Sequence, residues 1–192
     1  MSAVPEKNLQ QRKRLLEGLL ASIREKGLAQ TQLTDIVRHA KASRRTFYNH
    51  FPDKDSCFVE LTELVTATVR EQVVAAIDRE AAWPEHVDQA IDAFLEGLAA
   101  EPQLTLTFAS PSLGERIVRA QRDAIDRFAE VVVDLVAGEA FRTAAVRPIT
   151  HERAYFLIGG LHLLVVRTVE EGRDPTTLGD ELKTVFKTVL GS

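Results

Sequence analysis

The chain has 192 residues, of which 45% are hydrophobic and 27% are charged, and its formal net charge is −4. This composition excludes a chain that is disordered in bulk, and the length suffices for one sizeable core or for a small domain joined to a larger one. Cys57 is the single cysteine, so an internal disulfide is excluded. We expect a cytoplasmic protein, because the N-terminus lacks the apolar stretch of a secretory signal. The longest nearly apolar run, 154–166, is shorter than the ~18 residues that a membrane span requires.

The charge is distributed unevenly along the chain. Residues 1–55 contain 11 Lys and Arg against 6 Asp and Glu, whereas the remainder contains 13 against 22. A basic N-terminal part with a net charge of +5 therefore precedes an acidic part with a net charge of −9. Because local charge attracts phosphates, the negative total does not exclude nucleic acid as a partner.

Apolar residues recur at three- and four-residue spacing along nearly the whole chain, which predicts an all-α fold. Gly27 is the expected end of the first helix, and Thr31 is the expected N-cap of the second. A tight connection at 41–42 leads to Ser43, which we expect to cap the third helix. The predicted helices of this N-terminal part cover about 8–26, 32–40 and 44–50.

The remainder of the chain is predicted to consist of longer helices. Asp53 is placed to cap the fourth helix, which is long enough to connect the two parts of the chain. Pro84 suits the first turn of the fifth helix, and Thr150 and Asp174 are expected at the starts of the last two. The predicted helices cover about 54–77, 84–98, 111–137, 151–171 and 175–190, with a loop over 138–149 and an ambiguous segment over 101–109.

Two short helices joined by a tight turn form a helix-turn-helix pattern, in which the second helix enters the major groove of DNA. Phe47 and Phe51 can pack this second helix against Ile36 and Ala40. The polar side chains then face outward, where arginine suits guanine, asparagine suits adenine, and tyrosine and lysine suit phosphate. The candidate DNA-binding residues are Thr31, Ser43, Arg44, Arg45, Thr46, Tyr48, Asn49, His50 and Lys54. The alternative is an ordinary amphipathic helix with a solvated basic face.

These residues resemble the N-terminal domain of the TetR family of transcriptional regulators. The resemblance is carried by Gly27, Ile36, Ala40, Ser43, Arg44, Thr46, Phe47, Tyr48, Phe51 and Lys54. It implies a three-helix DNA-binding domain over 9–69, with the helix-turn-helix at about 32–51. It further implies a C-terminal effector-binding and dimerisation domain over 70–192.

The turn departs from the family pattern. Lys41 stands where glycine is usual, and Ala42 stands where valine is common. If Lys41 adopts a left-handed conformation, the cost relative to glycine is roughly 1 kcal/mol. Val37 replaces a usual alanine, and Gln32 stands where a capping threonine is frequent, which is why we expect Thr31 to act as the cap.

The run 154–166 is apolar around almost its whole circumference, so it must be covered on more than one side. Together with the last helix it suits a four-helix bundle formed by two subunits, as the resemblance also implies. The alternative is a helix that is buried wholly within one subunit. For His162 in this run, we expect a hydrogen-bonded buried or interface histidine rather than a ligand or a pH sensor. The candidate dimer-interface residues are Gly159, Gly160, His162, Leu163, Leu182 and Phe186.

Aromatic residues of the C-terminal part are candidates for an effector pocket, although each also suits the core. They are Trp83, Phe94, Phe108, Phe128, Tyr155 and Phe156. The five histidines show no metal-ligand spacing, and the sequence has no glycine-rich phosphate loop. Cys57 has no local nucleophile signature, and we expect it to pack in the core rather than to sense redox state. We therefore predict no catalytic residue, metal or cofactor.

The sequence thus predicts a DNA-binding transcriptional regulator, in the form of a homodimer that binds a pseudo-palindromic operator in double-stranded DNA. The family default is a repressor that a small-molecule effector of unknown identity releases from the operator. Two alternatives stay open. One is a helical DNA-binding interaction module without a ligand switch, and the other is a small helical enzyme. No membrane partner is predicted.

Overall fold

The computed structural model describes residues 4–107 and 114–191, and all regular structure within these ranges is helical. The predicted all-α class is therefore confirmed. The helices are α1 (Val4–Gln30), α2 (Leu33–His39), α3 (Arg44–Tyr48), α4 (Lys54–Ala76), α5 (Trp83–Ala99), α6 (Pro102–Thr107), α7 (Glu115–Val136), α8 (Glu139–Thr143), α9 (His151–Glu170) and α10 (Gly179–Leu190), and a short 3-10 turn (Pro175–Leu178) precedes α10. We call α1–α3 the head and α5–α10 the body; α4 connects them.

Two glycines shape the first helix. Gly27 has φ 75° and ψ 163°, so the helical path breaks there as the sequence predicts. Gly18 lies where α1 crosses α2: a Cβ atom at this position would come within 2.6 Å of the Ile36 carbonyl oxygen and 2.9 Å of the Ala40 nitrogen. Only a residue without a side chain allows the two helices to approach this closely.

The prediction that Thr31 caps α2 is wrong. The N-cap is Gln32, whose backbone N–H donates to the Asp35 carboxylate at 2.9 Å. The Thr31 hydroxyl instead donates to the Gly27 carbonyl oxygen at 2.8 Å and lies 3.0 Å from the Ser22 hydroxyl. The Thr31 side chain thus stabilises the backbone that follows the break at Gly27, and its hydroxyl points into the protein.

The turn between α2 and α3 has the predicted strain. Lys41 has φ 49°, the left-handed conformation that costs a non-glycine residue roughly 1 kcal/mol. Ser43 then caps α3 by accepting a hydrogen bond from the Thr46 N–H at 3.0 Å, as expected. The helix ends at Tyr48, two residues before the predicted end.

The body contains two elements that the sequence did not predict as helices. The short helix α6 lies in the segment 101–109, and α8 lies within the predicted loop 138–149. The predicted helix start at Pro111 falls outside the described residues. Asp174 caps the 3-10 turn, and the final α-helix begins only at Gly179. The capping roles of Asp53 and Thr150 are confirmed.

Two hydrophobic cores organise the fold. The larger one joins α4, α5, α7, α8, α9 and α10 in the body. The smaller one joins the three helices of the head with the first half of α4, and two body residues, Leu104 of α6 and Ile117 of α7, complete it. Val65 of α4 packs against both cores. None of the described helices combines the length and apolarity that crossing a membrane requires.

Candidate nucleic-acid interface

Aromatic packing fixes the orientation of α3. Phe47 and Phe51 are buried, with ring centroids 5.6 Å apart, as the sequence predicts. Tyr48 meets the edge of the Phe47 ring at 5.6 Å but keeps 59% of its surface exposed. One face of this short helix is therefore held by the head core, and the other face is presented to solvent.

The outward face of α3 is polar and basic. Arg44, Arg45, Tyr48 and Asn49 are exposed. Within the described part of the chain, neither Arg44 nor Arg45 forms an ion pair. The hydroxyl of Ser43 is occupied by its cap, and it lies 2.9 Å from the Thr46 hydroxyl at the same helix end. Two adjacent guanidinium groups without a carboxylate partner suit phosphate oxygens or guanine edges.

Arg12 holds the far end of α3. Its guanidinium forms a two-fold hydrogen bond with the Glu60 carboxylate on α4, and this bond raises the pKa of Arg12. The same group lies 4.8 Å from the centroid of the Phe51 ring and donates to the His50 carbonyl oxygen at 3.4 Å. Arg12 therefore joins α1, α3 and α4, a role that sequence reasoning missed because nothing local marks a contact 48 residues away.

His50 is less basic than an exposed histidine. Burial, followed by the nearby positive charge of Arg12, lowers the pKa of His50. Because this pKa is lower than that of an exposed histidine, the ring is mostly neutral at neutral pH. His50 therefore adds little positive charge to the surface of α3.

Lys54 has a structural role that the sequence did not predict. Its ammonium group donates to the carbonyl oxygens of Leu28 and Thr31, each at 2.9 Å. A lysine has three N–H donors, so one remains for a phosphate. Thr31 itself is only 2% exposed, and both hydrogen bonds of its hydroxyl are internal. The prediction that the Thr31 side chain contacts DNA is therefore corrected.

The body encloses a cavity between α4, α5, α6, α7 and α9. The volume open to the centre of a water-sized sphere is about 70 Å³. Phe94 and Phe128 line it, and their rings meet edge to face with centroids 4.7 Å apart. These two members of the predicted aromatic set lie at the cavity.

Three other predicted pocket aromatics, Trp83, Tyr155 and Phe156, are not among the described residues that line this cavity. Trp83 packs against Phe141 at 5.5 Å in another part of the body, and Tyr155 lies beside His151 at 6.4 Å. Phe156 is 78% exposed on the surface of α9. Phe108 lies outside the described residues. The pocket residues were predicted from their aromatic character alone, and an aromatic side chain suits a core, a pocket or an interface equally.

Polar groups line part of the cavity wall. The side-chain nitrogen of Gln121 lies 2.9 Å from His162 Nε2, and the amide is the donor. Burial lowers the pKa of His162, which favours the neutral ring. His162 was predicted at the dimer interface, and within the subunit it lies at the wall of the cavity. The expectation of a hydrogen-bonded, largely buried histidine is confirmed.

An apolar strip lies on the outer surface of α9 and α10. Phe156 and Leu163 of α9 are 78% and 69% exposed, and Gly160 between them is also exposed. Val185 and Val189 of α10 are 38% and 40% exposed. We call these five residues the α9–α10 strip. Because Phe156 is so open, the alternative of a helix buried wholly within one subunit is excluded.

Two predicted interface residues on α10 lie elsewhere. Leu182 and Phe186 are 3% and 4% exposed and belong to the core of their own body. The helical period places the two valines on the flank of the same apolar face, so the sequence identified the helix correctly but chose the buried centre of that face.

Two arginine contacts connect the head end of the protein to the body. Arg24 of α1 forms a two-fold hydrogen bond with Glu101, which also lines the cavity. Arg116 of α7 donates to the Asp53 carboxylate at 3.0 Å and to the Ser56 hydroxyl at 2.6 Å, at the start of α4. Each pair joins residues that are more than fifty positions apart, so the local sequence does not predict either contact.

Cys57 and the acidic residues offer no second kind of site. Cys57 is fully buried, and burial raises its pKa to about 12, so the thiol is protonated at neutral pH. In the ranges 4–107 and 114–191, no three His, Cys, Asp or Glu residues are grouped so that they could hold a metal ion.

The N-terminal part matches a known protein family. The family model of the bacterial regulatory proteins of the tetR family matches residues 15–61. This range includes α2, α3 and the residues that join them. No curated protein matches the sequence.

Solved structures share the fold over nearly the whole chain. A protein described as a TetR-family transcriptional regulator from Syntrophomonas wolfei is 17% identical with a TM-score of 0.79, and the match covers 96% of this chain and 97% of that one. The fatty acid degradation regulator FadR from Bacillus halodurans is 16% identical with a TM-score of 0.76, covering 91% and 93%. FadR from Bacillus subtilis, solved with stearoyl-CoA, is 17% identical with a TM-score of 0.73, covering 90% and 96%. Residues 15–61 therefore form an N-terminal domain of the tetR type, and this domain together with the shared fold of the whole chain supports a DNA-binding transcriptional regulator.

Proposed function

We propose that the protein is a homodimeric repressor that leaves its operator when a small molecule fills the cavity of the body. The observation that carries this proposal is the position of α4. Its first residues, Asp53 and Lys54, contact the head and the start of α7 through their side chains and caps. Further along, Thr62, Thr66 and Val69 of the same helix line the cavity. A ligand that moves α4 at the cavity would therefore also move the contacts that α4 makes with the head.

On DNA, α3 would enter the major groove, with Arg44, Arg45, Tyr48 and Asn49 directed at it. In a two-fold symmetric dimer, the two α3 helices meet successive major grooves when their centres are about 34–36 Å apart. This geometry requires a pseudo-palindromic operator. Lys54 would add one phosphate contact through its remaining N–H. The hydroxyls of Ser43 and Thr46 lie at the N-terminal end of α3, which would be near the DNA backbone.

The α9–α10 strip supports the proposed dimer. Large apolar side chains that are widely exposed on one face of two neighbouring helices mark an interaction surface. Gly160 offers close approach of two backbones at the centre of the strip, where its position would accept a Cβ without contact inside the subunit. We propose that two copies of this strip form a four-helix bundle, because such a bundle buries Phe156 and Leu163 of both subunits.

The switch would work through differences in affinity. A coupling free energy of about 1–3 kcal/mol changes operator affinity about 5–150-fold, and the operator must weaken effector binding by the same factor. The ion pair of Arg24 with Glu101 and the contacts of Arg116 with α4 offer two paths from the cavity to the head.

Selection of bound fragments from genomic DNA with the purified dimer tests DNA binding and yields the operator. Small molecules are then titrated against the operator complex. A repressor with a ligand switch predicts release by at least one compound, and that compound must bind the free protein more tightly than the operator complex. Binding of the same compound with equal affinity to both forms would instead favour a DNA-binding module without a switch.

A further inference from the structure

We propose that the cavity of the body selects an uncharged, largely apolar molecule that ends in a hydrogen-bonding group such as a hydroxyl or an ester, and that it rejects carboxylates. The inference rests on the proposed function in taking this cavity as the effector site. It adds the chemical class of the effector, which is tested by binding alone, in the absence of DNA.

The larger part of the cavity wall is apolar. Val65 and Val69 come from α4, Phe94 and Leu98 from α5, and Phe128 from α7. These side chains make no hydrogen bonds, so the binding energy they supply comes from apolar surface removed from water. A ligand that fills this part of the cavity must therefore present a hydrocarbon surface.

No positive charge is found among the described residues that line the cavity. Its described lining contains neither lysine nor arginine. A ligand carboxylate would lose its hydration without gaining a cation, which is costly in an apolar site.

Glu101 is the only carboxylate in the described lining, and it already has a partner. Glu101 forms two hydrogen bonds with Arg24, and its side chain is only 18% exposed. Its negative charge adds to the penalty for a ligand anion. A cationic ligand would have to displace Arg24 from this pair, so the lining favours a neutral molecule over either ion.

The polar end of the ligand has a matching pair of groups. Gln121 and His162 lie 2.9 Å apart, and both are uncharged when the imidazole is neutral. An amide and a neutral imidazole together can donate and accept hydrogen bonds. A hydroxyl or an ester carbonyl can use this pair, whereas an alkane leaves it unused.

Three probes with the same ten-carbon chain separate the possibilities: 1-decanol, decanoate and decyltrimethylammonium. Binding to the purified full-length protein is measured by calorimetry near neutral pH without DNA. We expect decanol to bind at least about tenfold more tightly than either ion, a difference of about 1.4 kcal/mol. Equal or tighter binding of decanoate overturns the proposal. Tightest binding of the ammonium probe, lost in Glu101→Gln, overturns it in favour of a cation site.

A variant tests the polar end. Gln121→Leu is expected to weaken decanol binding by about tenfold. Arg119→Gln is the matched control on the same helix, because Arg119 is exposed and pairs only within its helix with Glu115 at 3.1 Å. Unchanged decanol affinity in a folded Gln121→Leu variant contradicts the assignment of the pair. If that variant does not fold, Gln121→Asn replaces it, with the same expected direction.

The two levels of the proposal fail separately. If decanol binds with the expected preference but the operator complex is unaffected, the ligand class stands and the proposed switch is wrong. If compounds release the operator but decanoate binds the cavity as tightly as decanol, the switch stands and the proposed ligand class is wrong.

Discussion

Arg24 and Glu101 lie 77 positions apart and form an ion pair between the head and the rim of the cavity. Nε of Arg24 donates to one carboxylate oxygen at 2.9 Å, and a terminal nitrogen donates to the other. The side chain of Arg24 is 56% exposed, so the pair adds at most about 1 kcal/mol to stability. Because the pair connects the head to the cavity, we expect it to contribute more to the coupling between effector and operator than to stability.

Arg24→Gln should weaken the coupling between effector and operator by about 0.5–2 kcal/mol. The physical reason is that the variant removes the link to Glu101 while leaving the carboxylate at the cavity. The measurement is the ratio of operator affinities with and without effector. Arg119→Gln serves as the control, and a ratio identical to the wild type in Arg24→Gln would show that this ion pair transmits nothing.

Arg44→Ala should weaken operator binding and lower the salt dependence of binding by about one unit if the guanidinium contacts phosphate. A contact to guanine would instead relax sequence preference at one position of each half-site. Titrations at several salt concentrations and on mutated operators distinguish the two. Arg173→Ala on the body, where Arg173 pairs with Glu171, should change neither quantity.

Lys54→Ala should lower stability by about 1–3 kcal/mol, because two backbone carbonyls lose a charged donor. For a chain of this size, each 1 kcal/mol corresponds to a fall in Tm of about 2–4 °C. Thermal unfolding checks this effect, and Lys13→Ala, with its side chain 74% exposed, is the control. A phosphate contact is tested separately, by measuring operator affinity at several salt concentrations below the unfolding temperature. If the salt dependence of Lys54→Ala equals that of the wild type, Lys54 acts only within the protein.

Phe156→Glu should convert the dimer to a monomer and reduce operator affinity. The substitution introduces two carboxylates where two copies of the strip would pack together, and a buried unpaired charge is costly. Sedimentation at several concentrations gives the oligomeric state. Val74→Glu is the matched control, because Val74 is an exposed apolar residue on α4 with 53% of its surface open. A Phe156→Glu variant that remains dimeric would place the interface elsewhere.

Cys57 should resist alkylation in the folded protein. Burial excludes the reagent and raises the pKa to about 12, so the reactive thiolate is scarce at neutral pH. Mass spectrometry after treatment with iodoacetamide should show no adduct in the native state and complete modification in denaturant. Rapid modification of the native protein would mean that α4 opens far more often than its packing indicates.

Local features of the fold could be predicted from the sequence. Ser43 and Asp53 were identified as caps because a cap depends on a few neighbouring residues. The strain at Lys41 was predicted for the same reason, since a tight turn at that point needs a left-handed residue. The helix-turn-helix was found because its packing residues and its polar residues occur within one short segment.

Contacts between distant segments could not be predicted. Nothing near Lys54 in the sequence points to the carbonyl oxygens of Leu28 and Thr31, and nothing near Arg24 points to Glu101. The helix α9 is apolar on nearly all sides, so its sequence does not say which side meets its own core and which side meets a partner. The sequence also gave no sign that α7 brings Gln121 next to His162.

Leu104 and Ile117 lie in the second half of the chain by sequence, yet they complete the core around α1, α2 and α3. A fragment ending at residue 69 would lack both side chains and would expose the apolar surface they cover, at a cost of about 2–5 kcal/mol for each large residue removed. The unit that folds around α3, the helix proposed to contact DNA, is therefore discontinuous in sequence. A chimaera that transfers this specificity to another regulator must carry the segment 101–117 along with the N-terminal helices, or redesign the surface it leaves bare.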